Sequence, residues 1–239
     1  MKSSAILIHL SAGAAIISAI SGCATPSSVI QTSDFASRRQ TIKTVAVAMP
    51  DVQIVRKMLG GTGQQLTEDD SRVAARLSGL VSSQFSSRGF EVRSAAVTAA
   101  NHPDTQSAYD EISYQQRNAI QHPSLGSTYN IGSDAAAIAQ ANSADGVIFV
   151  TFQGLTRSHS SVAAEATKDT LITLGTAGLI SPTREPNGSA VLLVAFVDGR
   201  TGDVLWQNQD VEIWGVSVPA FDNDDLARMV TKVLDKFPS

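Results

Sequence analysis

Near the middle of the chain, Val147-Ile148-Phe149-Val150-Thr151-Phe152 form an almost unbroken apolar run. A strand with one wet face alternates apolar and polar residues, so a run that is apolar at both parities must be covered on both sides. This segment therefore predicts a central strand buried on both faces. Just before it, "SDAAAIAQANSADG" reads as a small-residue helix with Ser133 at its N-cap, running through Ala141.

The flanking sequence supplies further elements. "TIKTVAVAMPDV" is β-rich and alternates around Val45 and Val47, and Pro50 stops it, which predicts a strand over 42–49. After the loop "RKMLGGTGQQL", Val73, Leu77, Leu80 or Val81, and Phe85 recur at helical spacing. A helix over 69–88 follows, with Thr67 to Asp70 as capping residues and Gly89 as a left-handed C-cap. "GFEVRSAAV" returns as a short strand. Near the carboxyl end, two β-rich runs flank Asp198-Gly199-Arg200-Thr201-Gly202, a hairpin by its turn chemistry. "DNDDLARMVTKVLDKF" closes the chain as a helix with Leu226, Met229 or Val230, and Val233 on one face.

Two stretches depart from this β-α-β order. Residues 101–132 are polar with a weak helical pattern around Ala108, Ile112 and Ile120, and read as an excursion from the core. Residues 155–189 mix the polar "RSHSSVAAEATKD" with the apolar, glycine-spaced "TLITLGTAGLI" and read as an insertion. The expected organisation is a signal over 1–22, a tether over 23–40 and a single domain over 41–239 carrying both insertions.

The amino terminus follows a different logic. Lys2 and a short apolar core, "AILIHLSAGAAIISAI", end on the small residues Ser21 and Gly22. This is the layout of a secretory signal and is too short and too diluted to span a bilayer. Ile20-Ser21-Gly22-Cys23 resembles the lipobox of bacterial lipoproteins, in which cleavage after the small residue, here Gly22, leaves the cysteine to be lipidated. That resemblance implies covalent diacylglycerol and an N-acyl chain on Cys23, enough acyl surface for stable anchoring without a span. Ala24 behind it, rather than Asp, resembles the pattern for transfer to the outer membrane, facing the periplasm. "ATPSSVIQTSDFASRRQ" over 24–40 is small and polar, and as an extended linker it would reach roughly 55–60 Å.

Composition limits the partners. The formal charge of −4 disfavours nucleic acid or anionic lipid as the main partner, since both call for clustered Lys and Arg. With one cysteine there is no internal disulfide. His102 and His122 precede prolines, and neither they nor His159 falls in a metal-ligand spacing. "LGGTGQQL" lacks the Lys-Ser/Thr of a phosphate loop, and there is no GxSxG. "FDNDDLARM" lacks the glycine and distal Glu of a calcium loop, so helix capping accounts for its acids. The expectation is a non-enzyme with no cofactor, metal or small-molecule substrate.

"IAQANSADGVIFV" and "LVAFVDGRTGDVLWQ" together resemble bacterial envelope lipoproteins with a domain like the TolB amino-terminal domain. The group takes in the curli secretion channel lipoprotein (CsgG-like), the Pel polysaccharide lipoprotein PelC, penicillin-binding-protein activators and lipoproteins of the DUF799 kind. The resemblance implies an α/β sandwich, a mixed β-sheet with helices packed on it, and a role in assembly or export, with self-oligomers or an envelope protein as partner. The competing class is a regulatory lipoprotein that binds and activates a periplasmic cell-envelope enzyme.

Two further features have alternative readings. Trp206 and Trp214 lie eight apart, on one face of a strand. They either pad the sheet against a helix or form an exposed pair at a contact, where Trp is enriched. The segment around Leu171, Leu174 and Leu179 is either buried, an oligomer contact or a membrane-facing surface. As a helix it is too short to cross a bilayer.

Overall fold

The computed structural model describes residues 29–58, 63–94, 106–112, 114–115, 129–157, 188–214 and 221–238. The lipobox with Gly22 and Cys23, the histidines His102, His122 and His159, and Leu171, Leu174 and Leu179 lie outside them.

One mixed sheet organises the molecule, built on β6 (Gly146–Arg157). Val147, Ile148, Phe149, Val150 and Phe152 are all fully buried, as the run at both parities requires. Ile148, Val150 and Phe152 enter one core, while Val147 and Phe149 enter a second core on the opposite face. On one side β6 pairs antiparallel with β7 (Gly188–Asp198), which pairs with β8 (Val204–Trp214). The hairpin and its turn are where the sequence places them.

On its other side β6 pairs in parallel with two strands laid end to end, β2 (Thr44–Val47) and β3 (Asp51–Lys57). Pro50, which lacks an N–H, does end β2. The chain then resumes along the same neighbour as β3, whose last two residues, with β4 (Gly63–Gln65), occupy part of the loop expected over 56–66. β5 (Glu91–Ser94) pairs with β2, and β4 (Gly63–Gln65) pairs with β3.

Helices cover both faces. α2 (Thr67–Ser87) and α5 (Asn223–Leu234) lie on one side, burying Val73, Leu77, Val81 and Phe85 and Leu226, Met229, Val230 and Val233. Gly89, at φ 86°, ends α2 as expected. Its N–H donates to Ser86 and that of Phe90 to Phe85, a Schellman pair whose two rings meet at 5.6 Å. In α5, Asp222 is the N-cap and accepts from the N–H groups of Asp224 and Asp225. In α2, by contrast, no side chain caps the start. Asp70 instead turns inward to accept from the Ile54 N–H at 2.7 Å, tying the helix to β3.

α4 (Ser133–Ala141) packs on the second face, and Gly132 rather than Ser133 is its N-cap. Asn130 sets that entry, accepting from the Gly132 N–H at 2.6 Å. Residues 106–112 form a further helical stretch, α3, and are a correction to the expected excursion. Ala108, Tyr109 and Ile112 are buried in the second core, with Tyr109 edge-on to Phe149 at 5.2 Å. The insertion expected over 155–189 also shrinks, since β6 runs to Arg157 and β7 starts at Gly188.

The largest correction concerns the tether. A polar composition reads as linker, yet Ile30–Gln31 form β1 on the edge of β8, and Phe35–Thr41 form helix α1. Phe35 is 1% exposed and meets Phe196 and Phe237 edge-on at 6.2 and 5.5 Å. Phe35 in the core, the β1–β8 pairing and Arg38 together fold this polar stretch onto the domain. The folded unit therefore starts at about Ile30 rather than Thr41.

Candidate functional site

The densest polar constellation lies at the end of the sheet where β2 and β6 begin and β7 turns into β8. Asp198 is 1% exposed there. Its carboxylate accepts from Arg38 of α1 through Nη2 at 2.8 Å and Nε at 3.3 Å, and from the Arg200 N–H at 2.8 Å. The same guanidinium donates through Nη1 to Asp203 at 2.8 Å. Asp203 also receives bonds from Asn130 and Thr201. Beneath them Asp145 accepts from the N–H groups of Lys43 and Thr44 at 2.9 and 3.0 Å, and its carbonyl accepts from the Gly199 N–H. The Asp-Gly before β6 and the Asp-Gly-Arg-Thr-Gly turn are thus two halves of one knot, which α1 closes.

The electrostatics follow from these partners. Burial alone would push the Asp198 carboxyl up, but the Arg200 N–H and the Arg38 guanidinium outweigh it and hold it below the usual carboxylate range. Asp203 is likewise lowered, its donors outweighing burial. The backbone N–H groups of Thr44 and Lys43 lower Asp145. Every carboxylate of the knot is engaged by donors, which fixes α1, the start of β2 and the β7–β8 turn against one another.

A second ionic group joins β8 to α5. Glu212 accepts from Arg228 at 3.1 and 2.8 Å and from Lys232 at 2.5 Å, and the Arg228 hydrogen bonds are the main cause that lowers its carboxyl. Asp210 beside it goes the other way, because burial dominates. On the α3 side, a shallow depression of about 820 Å³ is lined by Asp110, Glu111, Tyr114 and Asn130, among others. Gln106 and Gln115 already engage its two carboxylates. Among the described residues no group of three or more His, Cys, Asp or Glu is placed to hold a metal.

Trp206 resolves as core, a correction to the reading in which it belongs to an exposed pair. It is fully buried, 5.0 Å from the Phe237 ring. Trp214 ends β8, but its side chain lies outside the described residues. Sequence reasoning missed Arg38 because its surroundings read as linker. The signal available was a paired Arg38-Arg39 three residues after a lone Phe.

The stability effect of the knot and of the Glu212 group is testable through pH. Asp145, Asp198, Asp203 and Glu212 all have lowered folded pKa values. The folded state therefore binds fewer protons than the unfolded chain as pH drops through about 4, and stability is lost there. Asp51 and Asp210, raised mainly by burial, oppose this with the opposite sign. Urea midpoints should fall between about pH 5 and 2. Arg38→Met should cost about 2 kcal/mol at neutral pH, by leaving Asp198 buried without its guanidinium, and should flatten that acid slope.

Together the layers define an α/β protein, a mixed eight-stranded sheet with helices on both faces. No protein-family model and no curated protein matches the chain. Among solved structures it is similar to the PelC dodecamer of Paraburkholderia phytofirmans, at 12% identity and a TM-score of 0.38, covering 80% of this chain and 84% of that one. Lipoprotein GNA1162 of Neisseria meningitidis matches at 12% identity and a TM-score of 0.35, covering 82% and 99% of the two chains. The carboxyl-terminal domain of LpoB from Salmonella enterica matches at 13% and a TM-score of 0.27, covering 74% and 91%. Among the described residues no helix is long and apolar enough to cross a membrane.

Proposed function

We propose that this chain is a lipid-anchored lipoprotein of the cell envelope, held at the outer membrane and facing the periplasm. There it serves as a structural or assembly component of an export machine, and it works as an oligomer. The observation that carries the reading is Ile20-Ser21-Gly22-Cys23, with the chain's single cysteine directly behind a short apolar signal core. In this reading the chain has no catalytic role and no cofactor beyond the acyl groups on Cys23.

The position of β1 supports assembly over the regulatory alternative. With Ile30 already on the sheet, the free tether is a fraction of what a linker to residue 40 would offer. A domain held so close to its anchor is suited to lateral contacts within one membrane plane. Two measurements test the proposal. Cys23→Ser should release the protein from the membrane fraction without loss of fold, and retention after a high-salt wash would refute the anchor. Mass photometry of the detergent-extracted mature protein should show multiples of the chain mass, and a single monomer peak at micromolar concentration would refute the oligomer.

A further inference from the structure

The sheet ends at β5, which pairs with β2 on one side and, among the described residues, with no strand on the other. In a parallel ladder, residues that bond the neighbouring strand alternate with residues whose N–H and C=O point away. The Glu91 N–H donates to the Lys43 carbonyl at 2.9 Å, so Glu91 and Arg93 turn their backbone groups to β2 while Val92 and Ser94 turn theirs outward. Such an edge is a template for a further strand. Val92 packs toward the first core, which puts Glu91 and Arg93 on the other face, where the Arg93 guanidinium donates to the Asn142 carbonyl at 3.2 Å. The side chains of Glu91 and Arg93 are 64% and 42% exposed.

Resting on the oligomer reading, we propose that two copies of this chain pair through β5, antiparallel about a two-fold axis at Val92. Charge favours a second copy over an unrelated strand. With Val92 opposite Val92, each Glu91 stands opposite Arg93 of the second copy on both sides of the axis. These are the close, non-hydrogen-bonded positions, and between them the outward N–H and C=O groups of the two Val92 residues face each other as the hydrogen-bonded pair. Within one chain Arg93 already donates to Glu91 at 3.1 Å. The pairing joins the two ion pairs into one network of alternating sign. Centring the axis on Glu91 or on Arg93 instead would oppose like charges, so this register is selected.

The flanking helix leaves room for this contact. α2 lies over β2, β3 and β5, with α5 on its far side over β7 and β8. It connects the parallel neighbours β2 and β5, and such crossovers are right-handed. That hand turns the flank of α2 carrying Ser71, Ala75, Ser78, Ser82 and Ser86 to the β5 edge. An axis normal to the sheet brings the two α2 flanks side by side, and small side chains stand between them.

The test follows the detergent-extracted mature protein by sedimentation velocity at micromolar concentration. The wild type should run as dimers or multiples of dimers. Glu91→Arg and Arg93→Glu each set like charges against each other across the axis, and each alone should weaken association by about tenfold. Mixed in equal amounts, the two variants should recover it, because each then meets opposite charge in the other copy while the pair within each chain stays broken. Wild-type association in both variants, or a mixture no heavier than its components, would overturn the contact. Amide exchange of the unsubstituted protein gives a second measure. The Val92 amide should be protected in the oligomer and lose that protection on dilution to monomer. A wild type that stays monomeric removes the oligomer reading itself, whereas an oligomer whose Val92 amide exchanges freely overturns this edge alone.

Discussion

Replacing Gly202 with alanine should lower the unfolding free energy by about 3–5 kcal/mol, seen as a large drop in urea midpoint with an unchanged slope. Gly202 sits at φ 75°, where a Cβ is strained. The added carbon would also fall inside the contact radius of the Gly132 carbonyl oxygen, a backbone atom that cannot rotate aside. Gly132 is the N-cap of α4, and the Ile131 N–H donates to the Gly202 carbonyl at 2.9 Å. The substitution therefore strains the hairpin turn and the entry to α4 together. Gly79→Ala is the matched control, because a Cβ at that exposed α2 position meets nothing within 4 Å. It should hold or raise the midpoint slightly.

Phe237→Ala should cost about 3–5 kcal/mol, the range for an emptied aromatic core site. Phe237 lies two residues from the end of the chain, a place where side chains usually fray. Its ring nevertheless touches Phe35, Phe85, Phe90, Phe196 and Trp206 with centroids 5.0 to 6.3 Å apart, mostly edge to face. Those partners come from α1, α2, the turn after α2, β7 and β8, so one ring joins both sides of the first core. A chain truncated after Lys236 should show the same loss in urea or thermal unfolding. If its stability matches the full chain, the keystone role assigned to Phe237 is wrong.

Where periodicity is strong, pattern and structure agree. The run over 147–152 is a doubly covered strand, and the hairpin around Asp198–Gly202 and the helices α2, α4 and α5 fall within a few residues of their expected bounds. The misses share one cause, which is that short segments obtain order from tertiary contacts rather than from their own composition. β3 follows a proline and pairs with the far half of a long strand, a relation no local window contains. α1 is held by Phe35 and by Arg38 reaching carboxylates 160 and 165 positions away. The knot was half visible as two Asp-Gly motifs, but nothing local shows that Asp145 and Asp198 converge or that Arg38 joins them. Trp206 could be placed on a strand face by alternation, yet whether that face was wet depended on α5 and on Phe237.

The pairing of the chain's beginning with its end has a consequence in time. Thr32 bonds to Leu205, Arg38 to Asp198 and Phe35 packs on Phe237. A polypeptide that emerges amino end first cannot make the first two contacts until residues 198–205 have emerged, nor the third until Phe237 has. Such long closures are slow to form and leave the early segment unpaired meanwhile. The segment over 30–41 stays without these partners until they are available, and the domain completes itself only when the two ends meet.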